Sequence, residues 1–142
     1  MLANNYISHA KINLGLQVLN KRDDGYHNLH SLFLEIDLDD TLVFTPSNEF
    51  HLTIEGTESA EIPLDESNLI TKAYKLIRSK VENISMEYDI HLKKKIPMGS
   101  GLGGGSSNAA TVLSALNQLW ELNLASGDLE NMGKSLGADI PF

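Results

Sequence analysis

YDIHLKKKIPMGSGLGGGSSNAA, residues 88–110, carries three kinds of local signal in one run. Tyr88, Ile90, Leu92 and, beyond a lysine cluster, Ile96 mark a strand that Pro97 ends. Five glycines then fall within residues 99–105, the residue type that takes positive φ and lets backbone approach a ligand at least steric cost. Ala109, Val112, Leu113, Leu116, Leu119 and Trp120 form the apolar stripe of a helix behind the loop, with Ser106 or Ser107 as its candidate cap. Strand, glycine loop and helix start together aim free amides and the positive end of a helix dipole at an anion. The two serines add hydroxyls for a phosphate oxygen or a magnesium ion. As a bare surface loop, the same glycines would cost backbone entropy with no return, so the run reads as a holder for a di- or triphosphate.

Ahead of this run the chain alternates. From Lys11 to Leu19, Ile12, Leu14, Leu16 and Val18 share one face, a strand with a buried side. Residues 21–25 (KRDDG) are a charged turn. Leu32, Leu34, Ile36 and Leu38 alternate again; Asp39 and Asp40 break the run, and residues 41–45 (TLVFT) resume it before Pro46. Phe50, Leu52 and Ile54 make a further strand that stops at Gly56. Connections this short predict antiparallel pairing through the first third. Ser67 then caps a helix with Leu69, Ile70, Ala73, Leu76 and Ile77 on one face. A last helix starts at Ser126, with Asp128 and Glu130 near its positive end, Leu129, Met132 and Leu136 on its apolar face and Gly137 at its stop. Strands, helix, strand, loop, helix, helix is the order of an α+β domain.

Composition narrows the function classes. The 142 residues fit one domain, and 42% hydrophobic with 21% charged residues excludes wholesale disorder. Nineteen acidic against eleven basic residues, a net charge of −8, argues against a nucleic-acid partner, which wants a basic face. With no cysteine there is no disulfide scaffold, thiolate metal site or cysteine nucleophile. No apolar run approaches the roughly 18 residues of a membrane span. The opening MLANNYISHA lacks the basic-then-apolar pattern of a secretory leader, so the expectation is a soluble, cytoplasmic chain. LGADIPF, residues 136–142, sets an apolar tail directly after a helix stop, the look of a domain within a longer protein.

Several phosphate sites are excluded in turn. A P-loop ends in Gly-Lys-Ser/Thr, and Gly-Ser-Ser stands here. Gly99-Ser-Gly101-Leu-Gly-Gly104 matches the dinucleotide fingerprint formally. Glu121 lies about twenty residues on, but a long helix intervenes where that fold needs a strand. A protein-kinase glycine loop lacks its partner motifs. Lys11 and Asn13 lie on the polar side of the first strand. Alone, Lys11 is a solvated lysine and Asp139 a turn-stabilising aspartate. Phosphoryl transfer wants a carboxylate for the acceptor's proton and a cation beside it, and spacing by itself does not bring these two residues together.

Ala10-Lys-Ile-Asn-Leu14, Asp24-Gly-Tyr-His27, the loop from Pro97 to Ala110 and Leu136-Gly-Ala-Asp-Ile-Pro-Phe142 occur in that order. Together they resemble the N-terminal part of the galactokinase, homoserine, mevalonate and phosphomevalonate (GHMP) kinases, from near residue 8 to the last residue. The combination resembles in particular the branch whose acceptor is 4-diphosphocytidyl-2-C-methyl-D-erythritol. The resemblance implies an α+β fold with a mostly antiparallel sheet and helices on one face. It implies ATP-dependent phosphorylation of the acceptor's 2-hydroxyl in the non-mevalonate (methylerythritol phosphate) route to isoprenoid precursors. Magnesium follows from the ATP chemistry, with no acidic ligand singled out.

Residue by residue, Asp139 matches the family's catalytic base and Lys11 the lysine beside it, with Asn13 facing the same site. Tyr26 and His27 match the residues that hold the cytosine by stacking and edge hydrogen bonds. Pro97, Gly99, Gly101, Leu102, Gly103, Gly104, Gly105, Ser106 and Ser107 match the ATP phosphate loop, and Asn68, Leu69 and Lys94 the adenine-side wall. His9 departs from the family, which usually carries proline or a small residue there. The resemblance also implies that residues 1–142 are an ATP- and substrate-binding domain completed by a C-terminal domain. Alone, this half exposes an apolar inter-domain face open to self-association. A small-subunit ribosomal protein domain shares the fold, so the alternative is a non-catalytic nucleotide- or RNA-binding module. The net charge and the glycine-serine loop count against it.

Overall fold

The computed structural model of the chain describes residues 2–56 and 58–141, with the side chains of Leu16 and Leu29 left aside. The elements run β1 (Asn4–Lys21), β2 (His27–Ser47), β3 (Leu52–Gly56), a short 3-10 turn (Ser59–Glu61), α1 (Leu69–Arg78), β4 (Glu87–Lys94), α2 (Gly104–Leu119) and α3 (Ser126–Leu136). One four-stranded sheet has the order β1-β2-β4-β3. β1–β2 and β2–β4 are antiparallel, whereas β3 lies parallel to β4. The expected α+β fold is borne out, with one change: β3 does not join the antiparallel run. It is linked to β4 through α1, a connection long enough for a parallel crossover.

Register arranges the inner face of the sheet in rows. Phe44, Ile90 and Leu52 lie side by side across β2, β4 and β3. One step along come Tyr6, Leu42, Leu92 and Ile54. These side chains meet Ile70, Ala73, Tyr74 and Ile77 of α1 and Ala109, Val112, Leu113 and Leu116 of α2 in a single apolar core. The next row is polar. Ser8 pairs with Asp40, Asp40 faces Lys94 one step beyond the Thr41–Lys93 pairing, and Lys94 pairs with Gly56. Ser8, Asp40 and Lys94 are all buried.

β1 begins seven residues before the expected Lys11, because the inward positions Tyr6, Ser8 and Ala10 are too polar and small to show as an apolar alternation. β2 runs through Asp39 and Asp40 instead of breaking. Ala10 pairs with Ile36 and His9 with Asp39, so two extra residues of β2 are absorbed in a bulge. β4 reaches β2 only from Thr41 to Ser47, so the rest of the β1–β2 hairpin is a two-stranded arm with no third strand beside it among the described residues. The expected buried face fails there for that reason: Leu14, Val18, Leu32 and Leu34 are 47–65% exposed. Leu16 lies outside the described side chains.

Helix starts also differ. Ser67 is not the cap of α1; its hydroxyl and amide turn back to Asp65 Oδ1, and Asn68 caps instead, accepting from the Ile70 amide at 2.8 Å. α2 starts at Gly104, ahead of both serines, with Gly103 at the cap position in the left-handed region (φ 71°). Among the described residues no helix is long and apolar enough to cross a membrane.

Tyr74 links α1 to β4. Its phenol donates to Glu87 and accepts from the Tyr88 amide, while its ring stacks on Phe50 with centroids 4.0 Å apart. Burial, then the hydrogen bond to Glu87, pushes the phenol's pKa well above the ordinary tyrosine value. The unfolded chain ionises this tyrosine near pH ~10 and the folded chain does not. Stability is therefore whole below that pH and falls as the pH climbs past it. Tyr74→Phe should cost about 1–3 kcal/mol near neutral pH, since the buried Tyr88 amide and the half-buried Glu87 carboxylate lose their hydrogen bond. It should also show a shallower alkaline loss than the wild type, as read by urea melts across the pH range.

Candidate active site

The polypeptide after β4 turns through Pro97 into the glycine loop. Gly99, Gly101 and Gly103 all have positive φ (62°, 77° and 71°), so alternate residues of the loop sit where side chains are strained. The Ser107 amide donates to the Gly103 carbonyl at 2.9 Å, the first bond of α2. The amides of Gly104, Gly105 and Ser106 precede it and have no helical carbonyl behind them. These three residues line an open pocket of about 430 Å³, within the roughly 300–1,000 Å³ usual for small-molecule sites. Asn68, Leu69, Lys94, Pro97, Gly99, Gly101, Gly103, Gly104, Gly105, Ser106 and Asp139 are all part of its lining.

The loop is tied to the edge strand. The Lys11 amide donates to the Leu102 carbonyl at 2.9 Å, which satisfies the outer edge of β1 at this point. A Cβ on Gly103 would stand 2.7 Å from Lys11 Cε, so the Lys11 side chain runs directly along the loop. Lys11 Nζ then lies 3.9 Å from the centre of the Phe33 ring and 3.5 Å from Asp139 Oδ2. The lysine side chain is 14% exposed and the aspartate 58%. Asp139 is held by its neighbour: Ile140 is buried against Gly133 on α3, and its amide closes a turn on the Gly137 carbonyl at 3.2 Å.

A second pocket of about 290 Å³ opens on the other side of this pair. Its lining includes His9, Lys11, Glu35, Ser107 and Thr111. Gly103, Ser106 and Asp139 line both pockets, so the carboxylate stands at their border. Among the described residues no three carboxylate, imidazole or thiol groups converge as a metal cage. Ser106, which lines both pockets, offers a hydroxyl oxygen of the kind a magnesium ion takes, the remaining ligands being left to water and phosphate oxygens.

Most of the residues singled out in the sequence converge here. Lys11 and Asp139, 128 positions apart in the chain, are brought together. Leu102 serves through its carbonyl, and Ser107 lines the second pocket with its hydroxyl 2.8 Å from Ser8 Oγ. Asn68 is both a wall of the first pocket and the cap of α1. Asn13 is exposed on β1 and lines neither pocket. Tyr26 and His27 stand at the hairpin turn, apart from both pockets, with Tyr26 73% exposed.

The sequence reading passed over Asp40, Ser8 and Asn108. Asp40 Oδ2 accepts from Lys94 Nζ at 2.6 Å, and its Oδ1 accepts from the amides of Lys95 and Ile96 at 2.7 and 2.9 Å. Ser8 Oγ lies 2.8 Å from both Ser107 Oγ and Asn108 Oδ1. One signal for Asp40 was present: it keeps the inward parity of Leu42 and Phe44, which places a carboxylate where a core side chain belongs.

The family model described as GHMP kinases N terminal domain matches residues 68–142. A 4-diphosphocytidyl-2-C-methyl-D-erythritol kinase of Prochlorococcus marinus (strain NATL1A) is 47% identical over 135 residues, 95% of this chain and 42% of the relative. One of Clostridioides difficile (strain 630) is 45% identical over 135 residues, 95% of this chain and 45% of the relative. The chain thus spans less than half the length of these curated relatives. A crystal structure of 4-(cytidine 5'-diphospho)-2C-methyl-D-erythritol kinase superposes with a TM-score of 0.76 at 40% identity, covering 98% of this chain and 48% of that one. A Methanococcus jannaschii mevalonate kinase, 18% identical over 95% of this chain and 46% of its own, shares the fold with a TM-score of 0.66. Asn68, the glycine loop, the start of α2 and Asp139 all fall within the matched span, and the chain belongs to the GHMP kinase family through its N-terminal domain.

Proposed function

We propose that residues 1–142 are the N-terminal, nucleotide- and acceptor-binding domain of a two-domain ATP-dependent kinase. Its acceptor is 4-diphosphocytidyl-2-C-methyl-D-erythritol, phosphorylated on the 2-hydroxyl in the non-mevalonate route to isoprenoid precursors. The observation that carries this reading is the Lys11–Asp139 pair at the border of two pockets, one of them walled by the glycine loop. The name shared by relatives at 45–47% identity supports the choice of acceptor.

In this reading ATP lies in the larger pocket, with its adenine side against Asn68, Leu69 and Lys94. The amides at the start of α2 hold phosphate oxygens. Magnesium, when bound, supplies further neutralisation of phosphate charge. The acceptor enters from the Lys11 side. Asp139 accepts the proton of the attacking hydroxyl, and the Lys11 ammonium balances charge on the transferring group. Lys11 approaches from the edge strand and Asp139 from the turn after α3, so base and cation flank the point where the two ligands meet. The cytosine needs a stacking ring and edge hydrogen bonds, which Tyr26 and His27 offer at the hairpin tip, with Asn13 on the strand between tip and base. An acceptor reaching that far lies along the arm. The same reading puts the reaction in the cytoplasm, where ATP is available. It also makes the exposed apolar residues of the arm a surface for the second domain and, in its absence, for self-association.

Asp139→Asn should lower phosphate transfer by about 10²–10⁴-fold while leaving MgATP affinity within about twofold, read by product formation beside calorimetric MgATP titration. A variant that keeps the wild-type rate removes Asp139 from the role of base. Tyr26→Ala should weaken the acceptor by roughly tenfold or more, from a stacking contribution of about 1–3 kcal/mol, and spare MgATP. Equal weakening of both ligands would take the cytosine away from the hairpin tip.

A further inference from the structure

The polar row of the sheet is used by no step of the transfer, yet it lies directly beneath the glycine loop. Asp40 is fully buried and Lys94 is 5% exposed. A charge pair this deep loses solvation that well-packed apolar side chains of similar volume would not, so such a pair is weak as a source of stability. Its geometry points elsewhere. One carboxylate oxygen takes the Lys94 ammonium at 2.6 Å. The other takes the amides of Lys95 and Ile96, the last two before Pro97, which has no N–H to offer. The entry to the glycine loop is thereby anchored on β2.

The ammonium is equally well placed. A Cβ on Gly104 would stand 2.9 Å from Lys94 Nζ, so the cation lies against the first residue of α2, at the positive end of the helix. Cation and helix start repel each other unless an anion is near. Asp40 supplies that anion from the core side. The opposite side of the same helix start opens into the pocket that Lys94 also lines, where a nucleotide phosphate would be the second anion.

We propose that Asp40 is a positioning residue for the nucleotide: its carboxylate holds the Lys94 ammonium and the 95–96 backbone, and so presets the loop amides and the start of α2 for phosphate. The inference rests on the reading of this pocket as the ATP site and adds to it the residue that sets the site's shape. Asp40 touches no reacting atom and acts through Lys94 and the loop.

The test is a calorimetric MgATP titration of the 142-residue chain and of Asp40→Asn. Trp120, whose indole Nε1 donates to the Met86 carbonyl at 2.8 Å outside the pocket, serves as the fluorescent probe of folding. The folded Asp40→Asn variant should bind MgATP roughly tenfold or more weakly, the scale of effect expected when a binding group is displaced by a fraction of an ångström. Its amides through residues 95–105 should also exchange with solvent faster. The double variant Asp40→Asn, Lys94→Gln removes both buried charges. It should regain melting temperature while its amides through residues 95–105 still exchange faster than in the wild type, a split that a merely structural role would not produce. Wild-type MgATP affinity in folded Asp40→Asn, or in the double variant where the single one does not fold, overturns the inference. A wild-type chain that binds no MgATP overturns the pocket reading itself, and with it this inference.

Discussion

The bond from the Lys11 amide to the Leu102 carbonyl is the contact on which the site depends. Without it the glycine loop is a connection between β4 and α2. With it, the loop becomes a short extension of the sheet edge, lying against the Lys11 side chain. The bond requires the loop to fold back over β1, and that path requires positive φ at alternate residues, which glycine supplies. Gly103 carries both demands at once: a left-handed backbone at the helix start and no side chain where Lys11 passes.

The sheet is built to hold that loop. Two apolar rows bind it to α1 and α2, and the third row is polar across its width. At one end Ser8 meets Ser107 and Asn108 on α2, in the middle Asp40 gathers Lys94 and two loop amides, and at the far end Gly56 fits against the Lys94 carbonyl. A buried pair of this kind is costly to break, at about 3–5 kcal/mol when one partner is removed, because the remaining charge has neither water nor partner. The row fastens the residues on either side of the loop to the sheet: Lys95 and Ile96 before it, Ser107 and Asn108 after it. The hairpin arm shows the opposite regime. With no strand or helix behind it among the described residues, its Leu14, Val18, Leu32 and Leu34 stay in solvent, and its shape is set by two strands alone.

Much of this was readable residue by residue. The strand before Pro97, the glycine run, the helical stripes and the α+β order follow from periodicity and from the backbone preferences of glycine and proline, which act over a few residues. Errors arose where distant elements intervened. Asp39 and Asp40 read as a break because two charges in an alternating run usually mean exposure; the strand continues because Lys94, 54 positions on, neutralises one of them inside the core. Ser67, Ser106 and Ser107 are reasonable caps by type. Asn68 takes the first place because its side chain reaches the Ile70 amide, and Gly103 the second because its left-handed backbone lets the loop enter α2 ahead of the serines. The arm's alternation marks a strand but not a buried one, since period two reports pairing and shape but not what covers the face.

What the sequence by itself determined is the set of local parts and their kinship: a glycine loop able to turn where others cannot, a helix start behind it, and motifs that together resemble one kinase family. Only the tertiary structure decided that Lys11 and Asp139 are partners, that both pockets share their border, and that Asp40 lies in the core beneath them. The physical reason is range. Backbone preference and periodicity are written in neighbouring residues, whereas a 3.5 Å approach between side chains 128 positions apart is fixed by sheet register and helix packing, which no local pattern encodes.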